Sequence, residues 1–228
     1  MKIDKLISKI KGDSNYKIQS EYSNIELFKV LYYRFFQVAR GSWSKLTFIK
    51  TSGIFFKGKN IKIRHSQLFS AGKNLILGDY VFIDALSENG ITLGNNVTIE
   101  RNSIIVCTGV ISNKGKGIMI GNNCGINANT FIGGQGGVRI GNHVIMGPGV
   151  KVFSENHRFD GIGNINQQGE TRIGVEIKDN CWLGSGAIVL DGVTLGSKTV
   201  VAAGSVVTKS FNGNCIIGGI PAKIIKKL

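Results

Sequence analysis

From residue 77 onward an aliphatic side chain returns every six positions, and four residues after it stands something small or β-branched. Ile120, Ile126 and Ile132 form one run, Ile140, Met146 and Val152 a second, Ile177, Leu183 and Val189 a third, and Leu195, Val201 and Val207 a fourth. Leu77, Leu93 and Ile99 belong to earlier, less regular turns. The positions four along are Val81, Val97, Cys124, Thr130, Val144, Val150, Cys181, Ala187, Val193, Thr199 and Ser205. A six-residue period fits neither a helix nor plain strand alternation. A short strand followed by a corner fits it, and three such units close one coil, as the 18 residues from Ile177 to Leu195 do. Coils stacked at roughly 4.8 Å set like side chains above like, with an aliphatic ladder inside and glycine or asparagine at corners needing positive φ. The pattern predicts an all-β chain over residues 51–228, wound as a parallel β-helix.

The period breaks in three places, and loops leaving a solenoid commonly carry function. Ile120 to Ile140 overshoots one coil by two positions, with the surplus at GGQGG, residues 133–137. Leu93 to Ile120 spans 27, so a loop is expected near 107–117. The third break lies between Val152 and Ile177, which are 25 apart; an insertion over 153–176 opens with FSENHRFDG. It puts His157 at the root of an excursion.

Ahead of the repeats, residues 1–50 read differently. Ile25, Phe28, Leu31, Tyr32, Phe35 and Val38 recur at helical spacing, with Ser23 or Asn24 placed to cap the start of a short N-terminal α-helical segment. Glu26, Lys29, Arg34 and Gln37 interrupt the run well short of the roughly 20 apolar residues of a bilayer span. The helix either packs on the remainder of the fold or also touches an anionic membrane.

Charge sharpens that choice. The chain carries a net +14, yet residues 1–76 hold 15 basic and 4 acidic groups, a net +11, so the rest is nearly balanced. No nucleic-acid recognition motif accompanies the basic stretch, and none is expected to bind. Thirty-two glycines with two prolines exclude proline-rich disorder, and 18% charged residues are too few for a disordered chain. Cys107, Cys124, Cys181 and Cys215 are scattered without a C-x-x-C pair, which argues against a disulfide framework and a thiolate zinc site. The opening MKIDKLISKIKGDSNYK has no uninterrupted apolar run of the secretory type, so a cytoplasmic location is expected, peripheral at the inner membrane face if the helix meets lipid.

Three histidines are available as a base near neutrality: His65, His143 and His157. His143 falls at a corner, where an outward, solvated side chain is expected. His65 lies in the basic lead-in with no partner evident in sequence. His157 alone stands at a break in the repeat.

Residues 177–227, IKDNCWLGSGAIVLDGVTLGSKTVVAAGSVVTKSFNGNCIIGGIPAKIIKK, resemble the C-terminal coils of the galactoside and maltose acetyltransferases. NHRFDG, residues 156–161, is similar to the active-site segment of the streptogramin acetyltransferases. Over roughly residues 75–228 the chain resembles the hexapeptide-repeat acyltransferases, and its organisation, with a basic helix before the repeats, is most like the polysaccharide O-acetyltransferases. The resemblance implies left-handed coils, acetyl-CoA as acyl donor, a saccharide acceptor, no metal, and a homotrimer with active sites between subunits. It implies a role for His157 as general base, for Asn127 in building the site, and for the Ser185 amide in the W-[IL]-G-S motif, here Trp182 to Ser185, as oxyanion donor.

By the same resemblance Trp182 lines the acceptor side. Gln135 stands where the galactoside enzymes carry an acidic residue, so the same acceptor is not expected. Asp160 either orients His157 or binds acceptor. Gly184, Ala203, Gly204 and Thr208 match positions along the pantetheine arm, and Lys209, Lys223 and Lys226 match basic positions near the ribose 3′-phosphate. The rival readings are an N-acetyltransferase of a nucleotide-linked amino sugar and a solenoid that only binds. A γ-type carbonic anhydrase on the same scaffold needs three histidines, two closely spaced, and gaps of 78 and 14 residues do not supply them.

Overall fold

The computed structural model describes residues 7–10, 14, 18, 21–47 and 50–228. From residue 50 the chain winds into three flat parallel sheets that form the sides of a triangular prism. The first face stacks Lys50–Thr51, Phe69–Ala71, Ile91–Leu93, Ile118–Ile120, Val138–Ile140, Val175–Ile177 and Thr194–Leu195. The second runs from Phe55–Lys57 through Gly125–Ile126 and Trp182–Leu183 to Thr199–Val201 and Cys215–Gly219. The third runs from Lys62–Arg64 through Phe131–Gly133 and Lys151–Phe153 to Val206–Val207. Each coil visits the faces in that order. A final strand, Ala222–Lys227, turns back antiparallel on Cys215–Gly219 and ends the stack.

The inward rows are the ones the period selects. Ile120, Ile126, Ile132, Ile140, Met146, Val152, Ile177, Leu183 and Val189 are buried, and so is every small or β-branched residue four places on, from Val81 to Ser205. Cys124 and Cys181 occupy two of those small slots, and all four cysteines are free and buried. Burial raises the thiol pKa of Cys124 and Cys181, and pushes that of Cys107 up to about 12.

Corners between the first and second faces are held by side-chain carbonyls, each taking a backbone N–H from the coil before it. Asn95 accepts from Lys73, Asn122 from Asn95, Asn142 from Asn122 and Asp179 from Asn142, at 2.7–2.8 Å. The next residue in each corner, from Asn74 and Asn96 to His143 and Asn180, is left-handed, a conformation asparagine tolerates better than most residues. His143 is exposed there, as expected. His65 is also left-handed, and the structure supplies the partner that sequence did not: its Nδ1 lies 2.8 Å from Asp84 Oδ1.

Coiling starts well before the repeat becomes readable at residue 77. Lys50 pairs with Ser70, and Phe69 with Ile91, so the first two coils are each longer than the regular turn and blur the six-residue count. Their core also uses Phe55 and Phe69 in place of aliphatics.

The helix α1, Asn24–Thr47, closes the base of the prism. Ser23 is its cap: its hydroxyl accepts the Glu26 N–H at 3.3 Å, while the Glu26 carboxylate accepts the Ser23 N–H at 2.8 Å. The Ser23 N–H and hydroxyl, both donating to the Glu26 carboxylate at 2.8 Å, hold that carboxyl below its usual pKa. Against the prism the helix turns Gln37, Gly41 and Ser44, all buried. Phe55–Lys57 is the lowest strand of the second face, with no further strand on its outer edge among the described residues, and Arg40 Nε donates to the Lys57 carbonyl at 2.9 Å there. Gly41 permits the approach, because a Cβ at that position would lie 1.8 Å from the Phe55 carbonyl oxygen. Lys57 Nζ donates to Ser44 Oγ at 2.7 Å, and burial beside Arg40 lowers its pKa. The apolar row expected to face the fold or a membrane points away from the prism: Ile25, Phe28, Leu31, Tyr32 and Phe35 are 42–68% exposed. No helix among the described residues is long and apolar enough to cross a membrane.

Candidate functional site

The residues singled out from the sequence fall on two different edges of the prism. Asn127, Gly184, Ser185, Ala203 and Gly204 lie on the edge between the second and third faces. There each coil turns in the same way, and carbonyls one coil below take up amides above: Gly149 N–H donates to Ala128 O, Gly186 to Pro148 O, and Gly204 to Ser185 O, at 2.8–2.9 Å. Asn127 is two coils below Gly184, about 10 Å along the axis at the usual strand spacing. Its Oδ1 accepts the Ala128 N–H at 3.1 Å, and its own carbonyl accepts the Thr130 hydroxyl at 2.7 Å.

Higher on that edge, the amides of Ser185 and Ala203 are left open. Among the described residues the N–H groups of Ser185 and Ala203 donate to nothing, and each sits over a glycine. A Cβ at Gly147 would lie 2.7 Å from Ser185 N, and one at Gly184 would lie 2.5 Å from Ala203 N. Gly184 is thus required by the stacking itself. Gly147 went unnoticed in the sequence, where it looked like one more corner glycine; only the register of Ile145 with Trp182 brings it under Ser185. Trp182 is half exposed on the outward side of the second face, in one row with Ile145 and Val200.

His157, Asp160 and Gln135 lie on the edge between the third and first faces, with Thr208 and Lys209 higher on the same edge. Both long insertions leave here, residues 107–117 and 154–174. The second begins as a hairpin in which Asn156–His157 pairs antiparallel with Glu170–Thr171, setting His157 opposite Glu170. Its tip turns through a short 3₁₀ segment, Ile165–Gln167, and Gln168 bridges Gly161 N–H and the Gly163 carbonyl.

The roots of this hairpin are pinned, by residues that sequence reasoning passed over. Buried Ser154 donates to the Gly133 carbonyl at 2.7 Å and accepts the Gly136 N–H at 2.9 Å. Arg172 pairs with Glu155 at 2.6 Å and donates to the Asn113 carbonyl of the other insertion at 3.0 Å. The Asp191 carboxylate takes the N–H groups of Ile173 and Gly174 at 3.2 and 2.7 Å. Opposite charges at the two ends of an insertion were the available signal.

His157 and Asp160 are exposed, and among the described residues no hydrogen bond joins their side chains. Gln135 is half-buried in the glycine-rich corner one coil below, where its carbonyl accepts the Lys116 N–H at 3.0 Å. Lys223 and Lys226 are exposed on the last strand. Among the described residues no group of three His, Cys, Asp or Glu could hold a metal ion.

The third face separates the two edges, a six-residue side of at most about 20 Å of extended chain. A single chain therefore keeps the imidazole on one edge and the open amides on another. A trough of about 730 Å³ on the first face, lined by Lys116, Met119, Arg139, Ile173, Glu176 and Thr194, includes none of the candidate catalytic, acceptor or donor residues. It lies beside the insertions and away from the open amides.

Residues 174–209 match the family model of the bacterial transferase hexapeptide, six repeats. The chain is 33% identical over 115 residues to the galactoside O-acetyltransferase of Lactococcus lactis, covering 50% of this chain and 55% of that one. To the galactoside O-acetyltransferase of Escherichia coli it is 30% identical over 144 residues, 63% of this chain and 66% of that one. The chain spans about half the length of the first curated relatives it matches. Among solved structures, a mutant of AntD, an N-acyltransferase from Bacillus cereus in complex with dTDP and coenzyme A, superposes with a TM-score of 0.57 at 21% identity, over 82% of this chain and 87% of that one. That likeness shows the fold.

The chain is a parallel β-helix built of hexapeptide repeats, left-handed like the solved structures it superposes on. The resemblance to the hexapeptide-repeat acyltransferases, the galactoside acetyltransferases among them, is borne out.

Proposed function

We propose that the protein is an acetyl-CoA-dependent O-acetyltransferase acting on a sugar hydroxyl, of a surface polysaccharide or of its lipid-linked precursor in the cytoplasm. It works as a homotrimer with active sites between subunits. One observation carries this reading: an exposed histidine on one edge of the prism and an unbonded Ser185 amide on the next, which only a second chain can bring together.

The exposed rows support a trimer. A closed ring joins two different surfaces head to tail, and two faces of this prism are apolar outside. The second face presents Ile145, Trp182 and Val200; the third presents Phe82, Ile104 and Phe131 in a row bounded by Lys62 and Lys151. The outward row of the first face is polar apart from Met119, with Thr92, Arg139, Glu176 and Thr194. The His157 excursion, too, holds Phe159, Ile162, Ile165 and Ile173 at 55% exposure or more, apolar area that a neighbour would cover.

In the proposed reaction His157 takes the proton of the acceptor hydroxyl as its oxygen bonds to the acetyl carbonyl carbon. The carbonyl oxygen gains negative charge, and the Ser185 N–H stabilises it. The carbon–sulfur bond then breaks, and the imidazolium returns the proton to the departing thiolate. Asn127 helps shape the site; Trp182, Gln135 and Asp160 face the acceptor. Pantetheine runs along the edge past Gly184, Ala203 and Gly204 of one chain, Thr208 meets it from the His157 edge of the next, and Lys209, Lys223 and Lys226 hold the nucleotide phosphates as point charges.

A second reading, transfer to an amine of a nucleotide-linked sugar, draws support from a tetrahydropyridine-dicarboxylate N-acetyltransferase of Clostridium perfringens, 44% identical over 52 residues. Those residues are 23% of this chain and 22% of that one. Mass spectrometry of the host's surface glycan with and without the gene tests the first reading. Loss of one acetyl mass from an oxygen is expected; an unchanged glycan overturns it, and loss of an N-acetyl favours the second.

A further inference from the structure

We propose that the base of the prism lies on an anionic lipid bilayer, with the outer face of α1 buried in the headgroup region. At 100° per residue, Ile25, Phe28, Tyr32, Phe35, Phe36 and Trp43 fall within an arc of roughly 100°. All six are 42–73% exposed.

The helix is built so that this arc cannot turn inward. Its opposite side is polar or small and is engaged with the prism: Gln37, Gly41 and Ser44 are buried, and Arg40 satisfies the open strand edge. Arg34 lies 5.7 Å from the centre of the Phe56 ring, and the Tyr33 hydroxyl donates to Asp79 at 3.1 Å. Gly41 under the Phe55 carbonyl admits no other residue without displacement. An amphipathic helix whose polar side holds the protein presents its apolar side to whatever lies below.

Charge selects the occupant. Residues 1–76 carry the net +11, with Lys2, Lys5, Lys9, Lys11 and Lys17 all preceding the helix in sequence. A second copy would bring together two chains that each carry this net charge, at a cost in like-charge repulsion. Anionic lipid supplies the complement, at about 1 kcal/mol for each lysine or arginine near the surface. Tyrosine and tryptophan on the arc suit the interface, having apolar rings with one polar atom each. Three parallel chains would present three such helices at one end, so weak single contacts would add.

Lipid binding is independent of the acyl-transfer reading, because it is measured without donor or acceptor. The test is flotation of the full chain with vesicles holding one phosphatidylglycerol for every two phosphatidylcholines, against phosphatidylcholine alone. Bound protein is expected to be at least tenfold higher on the anionic vesicles, and Phe28→Ser with Phe35→Ser to lower it tenfold with the melting temperature kept. In a Trp182→Phe chain, Trp43 emission should shift to the blue on the anionic vesicles, a readout that needs no change in the helix. Equal flotation on both vesicles, undiminished binding of the double variant, or unshifted Trp43 emission would overturn the proposal. So would a fall in oligomeric mass of the double variant by light scattering without any flotation of the parent, which would give the face to a second copy.

Discussion

Two edges of one prism have been put to opposite uses. The edge between the second and third faces is repetitive: corner after corner turns in the same way, and the open N–H groups of Ser185 and Ala203 stand over glycines of the coil below. The edge between the third and first faces is where the repeat is abandoned. Both insertions leave from it, and His157 is carried on a hairpin held by an ion pair and hydrogen bonds. Fixed donors that must meet a developing charge belong on the part that does not move. The part that meets a particular acceptor can vary in length without disturbing the core.

Removing the chemistry from the irregular edge should have the largest effect. His157→Ala is expected to lower kcat/KM by about 10²- to 10⁴-fold in a thiol-release assay with acetyl-CoA. Loosening that edge comes next. Arg172→Ala frees the root of the hairpin from Glu155 and from Asn113, and is expected to cost about 10- to 100-fold, mainly in kcat, since the imidazole is misplaced and donor binding is untouched. Arg172→Lys should restore part of it, and a melting temperature lowered by only a few degrees would separate positioning from unfolding.

The regular edge should be insensitive to its side chains. Ser185→Ala keeps the amide and is expected to stay within about threefold of the parent, well short of the 10²- to 10³-fold that losing an oxyanion donor costs. A large loss would move the role from the amide to the hydroxyl.

The smallest effect is expected in the interior. None of the four buried cysteines should react with a thiol reagent at pH 8 until the chain is unfolded. For Cys107 the folded thiol titrates at about 12 against an ordinary 9.0, so the unfolded chain loses that proton first. Stability should therefore fall as pH rises from about 9 toward 12, and Cys107→Ala should flatten that part of the profile.

How much of this could be read beforehand depended on register. The upper coils were legible because Ile177, Leu183, Val189 and Leu195 keep a strict period with no insertion between them. The lowest coils hid behind their extra residues and behind phenylalanine in the core. His157 was marked by the break in the repeat, and its neighbours Glu155 and Arg172 were not, because sequence alone does not say that an insertion returns to its own root. Nor does sequence say which corner a residue occupies. That Asn127 and His157 stand on different edges follows only once strands are assigned to faces. The helix reversed the usual inference: its spacing was correct, but the side it buries is the polar one, since the partner is an open strand edge needing donors.

The central claim is that His157 of one chain works beside the Ser185 and Asn127 edge of another. Mixed oligomers test it most directly. His157→Ala and Asn127→Ala chains, each nearly inactive alone, would be unfolded together, refolded as a mixture and assayed. Sites built across subunits should recover roughly a quarter of wild-type activity, because one pairing in four unites an intact histidine with an intact asparagine. A mixture no more active than its two parents would contradict the account.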